Sequence, residues 1–203
     1  MNNKIWFLIL SDILILSSFG LISPIFAIYI QDNLAGGLVA AGLATTIFLV
    51  VRSILQLPLS IYIDKHHHKV GLLLLGTALI VCVPFIYSFS THVWGIFIAQ
   101  GVYGLGAAFA YPTWFSLFTN CLDKKHKGLE YSVYSTGVGL ATAATAYIGA
   151  NVAEWIGFHG LFFVVGGVSF VGFLLLFFLD RKYTESVEKI TGLNLIFGKK
   201  IKK

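Results

Sequence analysis

Of the 203 residues, 57% are hydrophobic and only 11% charged, and 14 Lys+Arg set against 9 Asp+Glu leave a formal net charge of +5. Water-soluble chains carry roughly 25% charged residues, so a soluble globular surface is excluded and lipid is the solvent for most side chains. With two cysteines, Cys82 inside an apolar run and Cys121 near a basic loop, a disulfide framework and a cysteine-based metal site are excluded as well.

A bilayer core about 30 Å thick takes about 20 apolar residues per helix. Six stretches of that kind follow one another: Ile5–Ile30, Leu34–Ile63, Val70–Phe89, Val93–Phe118, Tyr131–Ala153 and Phe158–Leu179. The first could be mistaken for a secretory leader, but it is longer than an h-region and contains Asp12, so it reads as a retained helix. Short polar breaks separate the spans: Gln31 to Asn33, Asp64 to Lys69, Ser90 to His92, Asp123 to Lys127 and Glu154 to Gly157. Connections this short predict antiparallel neighbours. The expected organisation is a six-helix transmembrane domain over 1–182 followed by a basic tail over 183–203.

The basic residues give an orientation. With the N-terminus cytoplasmic, all of the 14 basic residues except Arg52 fall in the N-terminal segment, the second and fourth connections or the tail, and the three outer connections hold none. That partition obeys the positive-inside rule and predicts a multi-pass protein of the cell (plasma or inner) membrane with both termini in the cytoplasm.

Because lipid offers polar groups no partner, their distribution among the spans points to what faces a cavity or another helix. The third and sixth spans hold no acidic residue, Lys or Arg, with His159 only at the edge of the sixth, and read as outer scaffold. In the fourth, Gln100, Tyr103, Gly104, Ala107, Tyr111 and Trp114 share one stripe at 100° per residue. Ser135, Gly139, Thr142, Ala146 and Gly149 form a line of small and hydroxyl-bearing residues in the fifth span, which serves either helix packing or a cavity wall. Thr45, Arg52 and Gln56 share a face of the second span, as Asp12 and Ser23 do in the first. Spans one, two, four and five are therefore expected to surround a polar cavity. Its candidate residues are Asp12, Ser23, Arg52, Gln56, Gln100, Tyr103, Tyr111 and Trp114. Asp12 and Arg52, the charges placed deep in spans, are candidates for an ion pair, for substrate binding or for proton coupling; a snorkelling Arg52 is the alternative.

These features resemble the major facilitator superfamily of secondary transporters. Its signature between helices two and three reads G-x-x-x-D-[RK]-x-G-[RK]-[RK]; over Ser60 to Lys69, the residues Asp64, Lys65 and Lys69 match and Ser60, His67 and His68 depart. The resemblance implies that this loop is a conformational latch. The fourth-helix pattern R-x-x-x-G-x-G is met by Gln100, Gly104 and Gly106 with Gln in place of Arg, so a coupling role resting on that charge does not carry over. The fifth-helix antiporter signature is not met, since Ala146 stands where Pro belongs, and antiport is not implied. The segment from Gly149 to Phe162 resembles the family's junction between helices five and six. The resemblance further implies 3+3 inverted repeats, for which Asp64 and Glu154, 90 residues apart, and Pro24 and Pro112, 88 apart, are markers.

One six-helix half of the usual twelve-helix architecture then predicts secondary transport of a small molecule, without cofactor, by a homodimer or with a separate partner half. With few fixed charges, a neutral or amphipathic solute is expected. A non-transporting assembly or regulatory protein, or a truncated fragment, is the alternative; the apolar-basic tail fits an interfacial segment or the linker between halves. No histidine lies in mid-span to act as a base for a serine nucleophile, which argues against an intramembrane enzyme. His66, His67 and His68 read as a solvated loop, and the basic residues, explained by topology, give no reason to invoke nucleic acid.

Overall fold

The computed structural model describes residues 3–65, 69–123 and 125–197, and every regular element among them is helical. The helices are α1 (Asn3–Gly20), α2 (Phe26–Leu34), α3 (Gly37–Lys65), α4 (Lys69–Phe89), α5 (Val93–Cys121) and α6 (Lys127–Phe197). Four of them contain stretches long and apolar enough to cross a membrane: Gly37–Ile63, Lys69–Phe89, Val93–Cys121 and the 52-residue Lys127–Phe178. The last of these is two crossings. Gly157, at φ 74° and ψ 171°, leaves the helical region, and only glycine takes up that conformation without strain.

The packing on either side of Gly157 establishes the reversal. Going up the first span, Ile13 meets Gly137 and Leu21 meets Gly149, a parallel course; the other arm runs against it, with Phe162 beside Tyr29 and Gly172 beside Ser11 and Ile15. The junction expected at Glu154 to Gly157 is thus a single residue at the end of a helix that continues through Glu154, Trp155 and Ile156.

The first span is not the continuous helix expected. Turns occupy residues 21–25 between α1 and α2. Pro24 has no amide to donate and disfavours helical geometry at Ser23, and the freed segment is held by short-range bonds such as Ile22 N to Phe19 O at 3.1 Å and Ile25 N to Ile22 O at 3.0 Å. Gln31, Asp32 and Asn33 do not end the span either; α2 runs through them, and the chain turns where Ala35 adopts φ 49° and the Gly36 amide donates back to Ile30 O at 3.0 Å.

Glycines bring the helices together. A β-carbon at Gly76 of α4 would lie 2.6 Å from the Ala110 nitrogen and 2.7 Å from the Gly106 oxygen of α5, and one at Gly106 would lie 2.8 Å from the Gly76 oxygen. At Gly104 it would come within 2.8 Å of the Phe48 oxygen of α3. The fifth-span line is likewise a packing face in part, because Gly149 abuts the Leu21 backbone and Gly20 abuts Thr142 and Thr145. Gly139 of that line has open space around it.

The third span departs from its expected place at the periphery. Leu73, Gly76, Thr77, Ile80, Val83 and Tyr87 are buried between α5 and α6. By contrast α3 is the least covered of the long helices, with Leu38, Val39, Ile54 and Leu57 well exposed. The helix that ends at Phe197 passes without interruption through residues 182 and 183, and the side chains beyond Phe178 lie outside the described residues.

Gly76→Ala and Gly106→Ala are expected to lower the stability of the detergent-solubilised protein by about 1–3 kcal/mol each through overpacking, whereas Gly101→Ala, with open space around its α-carbon, changes it little; thermal unfolding followed by circular dichroism checks both. Ala35→Gly is expected to raise stability by roughly 0.5–1 kcal/mol by relieving the left-handed conformation.

Candidate functional site

The eight candidate cavity residues do not line one cavity. Seven of them divide between two pockets, stacked along the first, second and fourth spans and separated by three aromatic rings, and Arg52 lines neither. Tyr103 of α5 lies between Phe19 of α1, at a ring separation of 4.8 Å, and Phe48 of α3, at 4.4 Å, in near-parallel stacking. Asp12 and Ser23, eleven residues apart, lie on opposite sides of this stack.

The larger pocket, about 710 Å³, lies toward the end of the molecule that holds the N-terminus and the two basic loops. Asp12, Gln56, Tyr111 and Trp114 line it, together with Ser60, Phe115, Ser116, Tyr131 and Tyr134. The smaller, about 250 Å³, lies beyond the rings and is lined by Ser23, Thr45, Gln100 and Tyr103 with Phe26 and Tyr87. Both have the size and aromatic lining of small-molecule sites, the first more amply. Gly104 and Ala107, on the same stripe of α5, are instead buried in helix contacts.

The ion pair weighed for Asp12 and Arg52 does not form. Asp12 Oδ2 accepts a hydrogen bond of 2.6 Å from the Tyr134 hydroxyl on the fifth span. Arg52 Nε donates to Gln56 Oε1, one turn along α3, at 3.3 Å, and the guanidinium carbon stands 4.5 Å from the centre of the Tyr111 ring. Tyr111 therefore lies between the two charged groups. Trp114 is fixed by its indole N–H, which donates to the Leu8 carbonyl at 3.3 Å, and by rings 4.7 Å and 4.6 Å away on Phe118 and Tyr134. Its indole is therefore a braced wall.

Gln100 is 6% exposed, and its Oε1 has no hydrogen-bond partner among the described residues. The expectation that a buried amide finds a partner is met by no protein group there.

Of the latch residues, Lys69 donates from Nζ to Ser116 Oγ at 2.9 Å, tying the start of α4 to the cavity wall on α5. Asp64 and Lys65 end α3, with side chains outside the described residues, as His66, His67 and His68 are altogether. The fourth connection is ordered by acids: Asp123 Oδ1 accepts from the Lys125 amide at 3.0 Å, and buried Glu130 accepts from the Asp123 amide at 2.9 Å.

Sequence reasoning missed Tyr134, Tyr131, Phe19 and Phe48. Tyr131 and Tyr134 are three apart and so share a helical face, which is a usable signal in the sequence, on a face next to the small-residue line that includes Ser135. Nothing distinguishes Phe19 and Phe48 from the other members of a set of 18 phenylalanines until the spans are packed.

Asp12→Asn and Tyr134→Phe are each expected to cost about 1–2 kcal/mol, and the double variant less than the sum, since one hydrogen bond joins them; a double-mutant cycle on thermal stability measures the coupling. In a background without Cys82 and Cys121, a cysteine replacing Gln56 is expected to react with a water-soluble thiol reagent and one replacing Ala107, which has no exposed surface, to be protected.

No curated protein matches the chain. The family description "Major Facilitator Superfamily" matches residues 8–201, nearly the whole length. The helical, apolar, multi-pass architecture and this match agree, and the chain belongs to the Major Facilitator Superfamily of membrane transporters.

Proposed function

We propose that the chain is a half-size secondary transporter that moves a small organic solute by alternating access and completes its cavity with a second copy or a partner half. The observation that carries this reading is the pair of stacked pockets, which share the first, second and fourth spans and are divided by the Phe19, Tyr103 and Phe48 rings. Rings that separate two compartments at mid-span are suited to a barrier that must be passed or rearranged. In the orientation favoured by the basic residues, with both termini cytoplasmic in a plasma or inner membrane, the larger pocket faces inward.

Several features support the finer parts of the reading. Span one contacts five and six, span four contacts two and three, and three meets six, contacts that map onto one another when one, two and three are exchanged for four, five and six as a 3+3 inverted repeat requires, although the contact of α2 with α3 has no comparable counterpart between α5 and α6. The proline markers lie outside this symmetry, since Pro24 sits in a break and Pro112 inside a continuous helix. The exposed apolar face of α3 is suited to a second copy. The Lys69 bond to Ser116 supports a latch role for the Asp64, Lys65 and Lys69 loop, because it joins that loop to the pocket wall. Asp12, held in the pocket wall by Tyr134, is the carboxylate available for proton coupling, and Gln100 offers its unpaired oxygen to a donor on the solute or a water.

Native mass spectrometry of the 203-residue chain in lipid nanodiscs is expected to give two copies per particle, and cysteines replacing Leu57 or Ile54 are expected to cross-link those copies. A monomer without cross-links removes the homodimer and leaves the separate half. In proteoliposomes loaded with a pH-sensitive dye, a solute that drives proton entry is expected to lose that effect with Asp12→Asn; retained proton entry eliminates Asp12 as the coupling group.

A further inference from the structure

Arg52 is a charge within a membrane span that no acid among the described residues neutralises. Intramembrane arginines pair with acids or carbonyl groups, since an isolated cation there is costly. Here the acid expected to serve, Asp12, is engaged by Tyr134, and the Arg52 guanidinium has a neutral amide and an aromatic face as partners. The way those partners engage it matters more than their number. Gln56 takes the Nε–H, and the Tyr111 ring lies against the guanidinium; among the described residues neither terminal amino group has an acceptor. The two terminal amino groups, each contributing one N–H, form the planar fork that binds a carboxylate bidentately. Arg52 is not itself a lining residue of the larger pocket, but Gln56 and Tyr111, which hold the guanidinium, both are, so it stands immediately behind that wall.

Arg52 lies well inside α3, eleven positions from Ile63 and fifteen from Gly37, and its Nε–H is taken up by Gln56 one turn on.

From this geometry we propose that Arg52 is the anion-binding subsite of the larger pocket and that the solute carries a carboxylate-type oxyanion on a flat apolar or aromatic body. The body rests against Tyr111, Trp114 and Phe115, and the pocket's volume of about 710 Å³ accommodates it. This assignment rests on reading the pocket as a solute site, and it narrows the neutral or amphipathic solute expected from the scarcity of charge to an amphipathic acid.

The test compares 1-naphthoate with 1-naphthamide, equal in shape and different in charge, binding to the full chain in phosphatidylcholine nanodiscs by microscale thermophoresis. The wild-type chain is expected to bind the acid at least tenfold more tightly than the amide, and Arg52→Gln to remove that preference while leaving the amide's affinity unchanged. Arg52→Lys, which keeps the charge and loses the fork, is expected to fall between them. Equal binding of acid and amide by the wild type overturns the anion subsite and leaves the solute pocket standing; binding of neither overturns both. A preference that survives in Arg52→Gln also overturns the assignment. If the wild type shows no preference and Arg52→Gln converts a dimer to a monomer, the fork belongs to an acid of a second copy. A preference that vanishes when phosphatidylglycerol is included assigns the fork to lipid phosphate instead.

Discussion

The close approach of α5 to two neighbours at once underlies the rest of the structure. Lipid supplies no hydrophobic force to press helices together, so association depends on contact between backbones, which small residues permit. Gly106 and Gly76 bring α5 against α4, and Gly104, two residues earlier and therefore on the opposite side of the helix, brings it against α3. The side chains between these contacts have little freedom. Tyr103 must enter the gap between Phe19 and Phe48, and Tyr111, two turns on, must face the second span where Arg52 lies. The ring stack and the arginine site are thus consequences of helix spacing.

The first span adds a second constraint. Eleven residues of chain already set Asp12 and Ser23 in different pockets, on either side of Phe19, and Pro24 converts residues 21–25 into turns that lie against Gly149. A glycine on the facing helix is needed there because the unwound backbone comes closer than a side chain would allow. The backbone groups released by the break remain satisfied locally, as non-helical chain at membrane depth requires. Broken helices beside a cavity are a recurrent arrangement in transporters, where they provide a place at which the chain can change conformation at modest cost.

Charge follows from the same spacing. Asp12 and Arg52 occupy one region yet are divided by Tyr111, and each is met by a neutral partner: a phenol for the acid, an amide and a ring for the base. Mutual neutralisation would have produced a quiet structural pair. In the function proposed above, their separation leaves the acid to exchange a proton with the pocket and the base to take an anion from it, the two capabilities a coupled carrier of an organic acid needs.

The sequence by itself determined the solvent, the number of crossings, their alternation and the family, because each depends on composition along the chain: about 20 apolar residues cross a bilayer whatever they pack against, and lysines stop spans whatever lies beyond. It also marked most of the polar residues that line the pockets, since Asp12, Gln56, Gln100 and Tyr111 stand out against an apolar background. Only the tertiary structure decided what those residues do for one another. Helical periodicity orders positions around one axis and says nothing about the rotation of one helix against the next, so the partner of Asp12 proved to be Tyr134 of the fifth span, and the stripe of α5 proved to be half lining and half packing face. Apolar partners were least legible of all. Phe19 and Phe48, which divide the site in two, differ from lipid-facing phenylalanines in nothing but what stands opposite them.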